Sequence, residues 1–264
     1  MLQSIRKIGR RLLGHARGSG AKYGWVQELN HWPGEDESEY NYAGAEILEK
    51  VSQATQRVIQ GNALFERDSV LFYEPSYNWQ FLTHLLWVQK RLGRPLQILD
   101  FGGSLGSLYW QHRPYLSEVA SSWNVVEQES FVEEGRRIVP SDQIQFWSTI
   151  EDCASEGPID LLICSTVLQY LPDPFLPIKQ AIDVSIPFAL IDRTPFAADG
   201  RQRIMLQKVD PSIYEASYPC HFFNENDFLN ELEQSTRVLF RFGAQDGYLG
   251  GANYRGMLLD LAAR

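Results

Sequence analysis

The sequence predicts an α/β protein with a doubly wound, seven-stranded sheet, mostly parallel with an antiparallel C-terminal hairpin, behind a helical N-terminal extension. Two observations carry this prediction. From Pro95 onward, short apolar stretches alternate with amphipathic ones, as strands and helices do around a parallel sheet. The last two apolar stretches, TRVLFRF and YRGMLLDLA, have no helix between them, so they should pair antiparallel.

The first 95 residues show helical patterns instead. In GAEILEKVSQATQRVIQG, apolar residues recur at helical spacing from Ile47 to Val58. In SYNWQFLTHLLWVQKRLGRP, the spacing puts Trp79, Leu82 and Leu86 on one face of a second helix. The intervening SVLFYEP fits either a strand or a loop. We therefore expect residues 1–95 to form a helical extension or cap.

Residues 96–264 carry the predicted strands. Five of these should be parallel: LQILDF, WNVVEQ, IQFWS, IDLLICS and PFALIDR, in chain order. A long segment, about residues 194–224, then precedes the helix NENDFLNELEQ and the final hairpin. We expect that segment to be an insertion or lid. The length of 264 residues fits one large domain with an appendage.

Composition excludes several classes of function. A net charge of -9 is unfavourable for binding phosphate backbones, so we expect no nucleic-acid partner. The three cysteines, Cys153, Cys164 and Cys220, match neither a metal-binding spacing nor a disulfide framework, which is typical of a reducing compartment. No apolar run reaches the roughly 18 residues of a membrane span. These features predict a cytoplasmic protein without a metal site.

The N-terminal segment is strongly basic. All its charged residues from Arg6 to Lys22 are Lys or Arg, and Leu and Ile residues lie among them. One interpretation is a basic amphipathic helix that binds the inner face of an anionic membrane peripherally. The other is a frayed terminal helix that is partly disordered. The sequence leaves both open.

The stretch LDFGGSLGS has two possible functions. Residues Gly102 to Gly106 match G-x-S-x-G, the turn that presents a nucleophilic serine in α/β-hydrolases. Ser104, Asp192 and His221 would then form a triad in the required chain order. Two features disfavour this interpretation: LQILDF is the first strand of the predicted sheet, and no loop that would supply an oxyanion hole precedes it.

In the second interpretation, the stretch is a strand, a glycine turn and a helix start that together bind a nucleotide-like cofactor. Glycines allow a ligand to approach the backbone N–H groups at the helix N-terminus. Glu127 ends the next strand about 25 residues further on, where a carboxylate can bind both hydroxyls of a ribose. The spacing Asp100-x-Gly102-x-Ser104-x-Gly106 lacks the G-x-G-x-x-G of nicotinamide enzymes.

These residues give the chain a resemblance to class I S-adenosylmethionine-dependent methyltransferases, which have a Rossmann-like fold. The resemblance covers about residues 96–264. LDFGGSLG matches the first motif, with Ser104 in place of the middle glycine, Glu127 matches the second-strand acid, and LLICSTVLQYLPDP matches the fourth-strand motif. KYGW, ERDSVLF, LIDRTPF and IMLQKVDPSIYEASYP are also similar to a bacterial group of proposed methyltransferases associated with surface-polysaccharide or lipopolysaccharide biosynthesis.

The resemblance implies S-adenosylmethionine as cofactor and S-adenosylhomocysteine as product. It places Glu127 at the ribose and Gln128 near the adenine. Phe146 and Trp147 would also lie near the adenine, although core packing explains them equally well. The remaining cofactor residues that it implies are Asp100, Gly102, Gly103, Ser104 and Gly106 around the methionine part, with Ser165 and Thr166 beneath the sulfonium.

The methyl acceptor is expected above the carboxyl ends of the fourth and fifth strands, the usual ligand crevice of such sheets. Polar groups combined with aromatic faces suit a hydroxyl of a glycan or glycan precursor. The side chains of this kind predicted to bind the acceptor are Tyr77, Arg193, Gln207, Tyr214 and Tyr218, with Tyr73 and His84 as further candidates. His221 is the first candidate for the general base and Asp192 the second.

Three alternatives stay open at this point. The aromatic residues of the insertion, and His221 with them, fit simple packing onto the sheet. The hydrolase triad of Ser104, Asp192 and His221 is a second alternative. A catalytically silent, methyltransferase-like module in a polysaccharide assembly machine is the third.

Overall fold

The structure, a computed structural model, describes residues 22–34 and 45–262. The predicted basic helix before Lys22 therefore lies outside the described residues. Within the two described ranges, no helix has both the length and the apolar character needed to cross a bilayer.

The α-helices in these ranges are α1 (Ala45–Ile59), α2 (Trp79–Leu92), α3 (Ser107–Leu116), α4 (Glu129–Ile138), α5 (Ile150–Ser155), α6 (Leu176–Asp183) and α7 (Glu225–Glu233). The strands are β1 (Gly24–Leu29), β2 (Phe65–Arg67), β3 (Val70–Phe72), β4 (Leu96–Phe101), β5 (Ala120–Val126), β6 (Gln145–Trp147), β7 (Leu161–Ser165), β8 (Phe188–Ala197), β9 (Arg203–Lys208), β10 (Ser217–Phe222), β11 (Arg237–Leu249) and β12 (Ala252–Asp260).

The central sheet confirms the predicted Rossmann-like, seven-stranded architecture. Its strand order is β11-β12-β8-β7-β4-β5-β6. Strands β4, β5, β6, β7 and β8 pair in parallel, whereas β12 runs antiparallel to both β8 and β11. The chain runs outward from β4 through β5 and β6, and then crosses to β7 on the other side of β4. Ligand crevices form at such switch points, outside the carboxyl ends of the strands.

Strand β4 is buried on both faces of the sheet. Ile98 packs into one hydrophobic cluster and Leu99 into the other, because successive side chains of a strand point to opposite faces. Burial on both faces explains why LQILDF is almost continuously apolar. Asp100 follows Leu99 near the carboxyl end of this strand and is itself only 1% exposed.

The N-terminal part contains strands that the sequence analysis did not anticipate. The two predicted helices are present as α1 and α2, and SVLFYEP contributes β3. Strands β2 and β3 form a hairpin whose turn residues, Asp68 and Ser69, have φ angles of +50° and +64°. Strand β1 pairs with β9 and β9 with β10, so the N-terminal part and the insertion share a three-stranded sheet. The domain division near residue 95 stays a prediction.

The buried face of α2 is rotated from the predicted one. Leu82 is buried as expected, but Trp79 is 58% exposed and Leu86 is 51% exposed. Trp79 instead packs edge-on against Tyr115 of α3 at the surface, with ring centroids 5.4 Å apart. The residues that α2 buries are Phe81, Leu82, Leu85 and Val88. A helix rich in apolar residues offers more than one stripe, and tertiary contacts select among them.

A buried polar network joins α2 to the sheet. Asn78 caps α2 by accepting the Phe81 N–H (3.1 Å), and its Nδ2 donates to Asp192 Oδ2 of β8 (2.9 Å). The Asn78 N–H donates to His112 Nε2 on α3 (3.0 Å), and burial lowers the pKa of His112 to about 4, so the ring is neutral and accepts. Asp192 is thus occupied in holding the helix.

We predict that Asn78→Ala costs roughly 2–4 kcal/mol of unfolding free energy. The loss combines about 1 kcal/mol for a cap with roughly 1.5–3 kcal/mol for a hydrogen bond to a buried charged group. Asn224→Ala is the matched control, because Asn224 caps α7 in the same way, by accepting the Asp227 N–H (3.0 Å), while its Nδ2 donates to an uncharged backbone oxygen, Gly200 O (2.6 Å). It should cost roughly 1–2 kcal/mol in the same urea titration. Equal losses would contradict the role assigned to Asp192.

Candidate functional site

A cavity of about 1000 Å³ lies at the carboxyl ends of β4, β5 and β7. Ligand pockets are commonly about 300–1,000 Å³, so this cavity has room for two small molecules. We call the residues on or after β4, β5, β6 and β7 the strand-end side: Asp100, Gly102, Gly103, Ser104, Glu127, Gln128, Ser148, Ser165 and Thr166. We call the polar residues from other elements the cover: Arg67, Asp68, Gln111, Tyr170, Arg193, Gln207, Tyr214, Tyr218 and Asp246.

The glycine turn after β4 is shaped by the buried carboxyl of Asp100. A Cβ on residue 103 would lie 2.6 Å from Asp100 Oδ2, and a Cβ on Gly102 would lie 2.5 Å from Val167 Cγ2. Gly102 also has a φ of +69°, which glycine adopts without strain. Burial raises the pKa of Asp100 to about 8. Its Oδ2 has no partner at hydrogen-bond distance among the described residues, although the nearby Trp123 indole opposes the pKa shift. An unpartnered buried atom of this kind is typical of a group that a ligand satisfies.

Glu127 closes the other end of the strand-end side. Its Oε1 accepts the Ser104 N–H (3.2 Å) and its Oε2 accepts the Gln128 N–H (2.9 Å). Both oxygens are therefore fixed in position, and each keeps a lone pair for a further donor. Burial raises the pKa of Glu127, although the two backbone hydrogen bonds oppose that shift. This geometry suits two adjacent hydroxyl groups of one ligand.

Two hydroxyl side chains stand at the end of β7, which flanks β4 on the side opposite to β5 and Glu127. Ser165 Oγ and Thr166 Oγ1 are buried and have no hydrogen-bond partner among the described residues. Thr166 has a φ of +60°, an uncommon conformation for a branched residue. Strained backbone of this kind clusters at functional sites. Among the described residues, no group of three or more His, Cys, Asp or Glu side chains is placed to hold a metal ion.

The hydrolase triad is not assembled. His221 Nε2 lies 3.2 Å from Leu171 O, and its Nδ1 has no partner among the described residues. Asp192 is bonded to Asn78 and to the Arg193 N–H. No hydrogen bond therefore joins His221 to Asp192 or to Ser104, as a triad requires.

Neither base predicted from the sequence lines the main cavity. His221 lines a separate cavity of about 320 Å³ and stacks on Trp32, with ring centroids 4.5 Å apart. Burial also lowers the pKa of His221. Asp192 is fully buried beneath the bulge of β8. The prediction that these two residues take the acceptor proton is therefore corrected.

The predicted acceptor residues of the insertion do line the cavity. Arg193 sits in a bulge, because Asp192 and Arg193 together oppose Gly256 of β12, and its φ of +55° re-aims the side chain. Its guanidinium forms two hydrogen bonds with the Asp246 carboxylate, of 2.7 and 3.1 Å. Although burial opposes it, Arg193 lowers the pKa of Asp246. The other predicted acceptor residues in the cavity wall are Gln207, Tyr214 and Tyr218.

The aromatic candidates from the N-terminal part lie elsewhere. Tyr77 packs edge-on against Trp79 and Tyr115, Tyr73 is exposed, and His84 stacks on Phe242. None of these three predicted acceptor residues is part of the cavity wall.

Three further residues predicted to lie near the cofactor are part of the scaffold instead. Phe146 packs in the core, and Trp147 Nε1 donates to Asn124 Oδ1 (3.0 Å). Gly106 is the N-cap of α3, with a φ of +89°, and it too lies outside the cavity wall. Gln128 does line the cavity, and Ser148, the residue after Trp147, does so as well.

Five polar residues of the cover were missed in the sequence: Arg67, Asp68, Gln111, Tyr170 and Asp246. The signal available was weak. Arg67-Asp68 is a charged pair between two short apolar stretches, and Asp246 is a charged residue in a Gly-rich region. Tyr170 lies within the fourth-strand motif and donates its hydroxyl to Gln207 Oε1 (2.9 Å).

Comparison with known proteins finds similarity at the level of fold. No protein-family model matches the sequence, and no curated protein sequence matches it. Similar solved structures include magnesium protoporphyrin IX methyltransferase from Synechocystis PCC 6803 with bound S-adenosylmethionine (16% identity, 69% of this chain and 79% of that one, TM-score 0.45). The N-terminal domain of EvdMO1, crystallised in the presence of S-adenosylhomocysteine and D-fucose, is also similar (13% identity, 83% of this chain and 99% of that one, TM-score 0.49). A third similar structure is the glycopeptide N-methyltransferase MtfA with S-adenosylhomocysteine (11% identity, 68% of this chain and 89% of that one, TM-score 0.49).

We predict that burial of Asp100 makes the ligand-free protein lose stability as pH rises from about 4 to about 8, that is, from the ordinary pKa of an aspartate to the raised pKa of the buried group. Burial raises the pKa of Asp100 to about 8 and that of Glu66 to about 7. The folded chain therefore keeps protons in this range that the unfolded chain has already released. Urea titrations across this range should show Asp100→Asn with a flatter profile and higher stability than wild type at the alkaline end. The variant Asp183→Asn, which changes an exposed acid, should show the same pH dependence of stability as wild type. If Asp100→Asn also shows the wild-type pH dependence, burial does not raise the pKa of Asp100 as described.

Proposed function

We propose that the strand-end side binds S-adenosylmethionine, and that the protein transfers its methyl group to a hydroxyl of a glycan or glycan precursor held under the cover. One observation carries the proposal. Asp100 and Glu127 stand at the carboxyl ends of two adjacent parallel strands, with the glycine turn between them, in one wall of the cavity. That arrangement presents two acids and free polar groups to a single elongated ligand.

The side chains present match the chemistry of that cofactor. The ribose has two adjacent hydroxyls, and Glu127 offers two fixed oxygens, each with a free lone pair. The amino-acid end carries an ammonium group, and Asp100 offers an unpartnered buried oxygen. Ser165 and Thr166 provide further unpartnered hydroxyls. When bound, the cofactor supplies a methyl group already activated by a positively charged sulfur.

The protein has two tasks in such a reaction. It must hold the acceptor oxygen in line with the methyl group, which accounts for much of the rate of a well-oriented transfer. A base must also take the hydroxyl proton. The cover has two carboxylates, and Asp246 is bound to Arg193. Asp68 has no hydrogen bond or ion pair from its carboxylate among the described residues, so we assign it the role of base.

The polar character of the cover supports a polyhydroxylated acceptor. Gln207 and Tyr170 form a hydrogen-bonded pair, and the ring of Tyr170 packs edge-on against Tyr218, with centroids 5.2 Å apart. Aromatic faces beside amide and hydroxyl groups fit the alternating apolar and polar surfaces of a sugar. A role in surface-polysaccharide biosynthesis, a cytoplasmic location and a membrane contact by the basic N-terminus are further parts of this proposal, and they rest on the sequence alone.

Titration calorimetry with S-adenosylhomocysteine tests the cofactor assignment. Glu127→Ala should weaken binding roughly 10- to 100-fold, because hydrogen bonds to a charged group contribute about 1.5–3 kcal/mol. Glu133→Ala, which changes an exposed acid on α4, should bind as wild type does. Ser104→Gly should also keep its affinity, since Ser104 has a φ of +55° that glycine adopts freely. Absence of binding to wild type at millimolar ligand would overturn the proposal.

Methyl transfer from radiolabelled S-adenosylmethionine to a panel of oligosaccharides tests the base. Asp68→Asn should lower kcat roughly 10²-fold or more, since general bases contribute about 10²–10⁴-fold, while its affinity for S-adenosylhomocysteine stays unchanged. Asp210→Asn, on the loop after β9, serves as the control. An Asp68→Asn variant with wild-type kcat would remove Asp68 from the mechanism.

A further inference from the structure

The cover contains an arginine that forms no ion pair with any of the described residues. Arg67, the last residue of β2, is half-buried and lines the cavity. Its Nη2 donates to Gln111 Oε1 (3.0 Å). Arg193 in the same wall is neutralised by Asp246 (2.7 Å), whereas no carboxylate oxygen of the described residues lies within 4.0 Å of the Arg67 guanidinium. The two arginines of one cavity are therefore in different electrostatic states.

The surroundings of Arg67 do not compensate its charge. Burial and the nearby positive charge of Arg193 lower the pKa of Arg67 to about 10, despite the opposing effect of Asp246, Asp68 and Glu66. Burial also raises the pKa of Glu66 to about 7, so that carboxyl is only partly ionised near neutral pH. A desolvated cation without a partner is costly, and a ligand anion would remove that cost.

The guanidinium is also held in place. Gln111 Nε2 donates to Ser76 O (2.6 Å), which turns Gln111 Oε1 toward Arg67. The next residue but one, Ser69, donates its backbone N–H to Glu66 Oε2 (3.1 Å), and Glu66 also accepts the Ser107 hydroxyl. The hairpin is thus fixed on both sides of Arg67. A fixed guanidinium is suited to a bidentate contact with a carboxylate or a phosphate.

We propose that the acceptor carries an anionic group, a carboxylate or a phosphate, and that Arg67 binds it. The substrate class would then be a sugar acid or a phosphorylated sugar, with its neutral hydroxyls facing Gln207, Tyr170 and Tyr214. That the bound molecule is the methyl acceptor rests on the proposed function, but anion binding at Arg67 is measurable without any methyl transfer.

Calorimetric titrations of the S-adenosylhomocysteine-saturated protein test this inference, at constant ionic strength, with three probes. Inorganic phosphate and D-glucuronate distinguish the two sources of negative charge, and D-glucose is the neutral comparison. We expect at least one anion to bind with a millimolar Kd, and Arg67→Gln to weaken it 10-fold or more. Arg67→Lys, which keeps the charge but loses the bidentate contact, should bind the anion more weakly than wild type and more tightly than Arg67→Gln. Arg57→Gln, an exposed arginine of α1, should have no effect.

Two outcomes would overturn the inference: neither anion binds wild type, or Arg67→Gln binds the anion as tightly as wild type does. Retained S-adenosylhomocysteine affinity in Arg67→Gln shows that the variant is folded and its strand-end side intact. If that variant does not fold, Arg67→Lys and the wild-type anion titrations still decide. If wild type binds the anion but no S-adenosylhomocysteine, the proposed function fails while the anion site at Arg67 stands.

Discussion

The buried carboxyl of Asp100 at the end of β4 is the constraint on which the cavity depends. It approaches the backbone so closely that residue 103 must be glycine. The same turn carries the chain into α3 and aims the Ser104 N–H at Glu127. The turn that packs on the first acid is therefore hydrogen-bonded to the second acid, on the neighbouring strand. The burial is unfavourable for the charged form, and a cationic ligand group beside Asp100 would offset that penalty.

The cover is tied to this turn through the first residue of α3. Ser107 follows the glycine turn directly and donates its hydroxyl to Glu66 in β2. Glu66 in turn accepts the Ser69 N–H in the hairpin turn that presents Asp68. The wall assigned to the cofactor and the wall assigned to the acceptor are thus joined by a short chain of hydrogen bonds. A shift of either wall would therefore alter hydrogen bonds that hold the other wall.

The strand-end side was predictable from the sequence because its signals are local. Asp100, Gly102 and Gly103 lie within four residues, and the strand-turn-helix pattern around them is continuous. Glu127 follows from the end of the next strand. Ser104 was recognised as standing in a glycine's place, and its φ of +55° agrees with that interpretation. The parallel sheet then brings these residues together without any long-range information.

The cover was less predictable because it forms by contacts between distant parts of the chain. Arg193 meets Asp246 only through the bulge that shifts the register of β8 and β12. Strand β1 pairs with β9, although about 180 residues separate them in the sequence, and no local pattern indicates that pairing. His221 was predicted to lie beside the acceptor, but it lies outside the main cavity. It follows Tyr218 by three residues in an extended strand, so the two side chains point to opposite faces.

A crystal structure of the protein with S-adenosylhomocysteine tests the central claim most directly. The account predicts the ribose hydroxyls within hydrogen-bond distance of Glu127, the homocysteine ammonium beside Asp100, and the cover residues facing a space left over for the acceptor. Density for the ligand in the smaller cavity beside His221, or in any pose that leaves both acids without a contact, would contradict it.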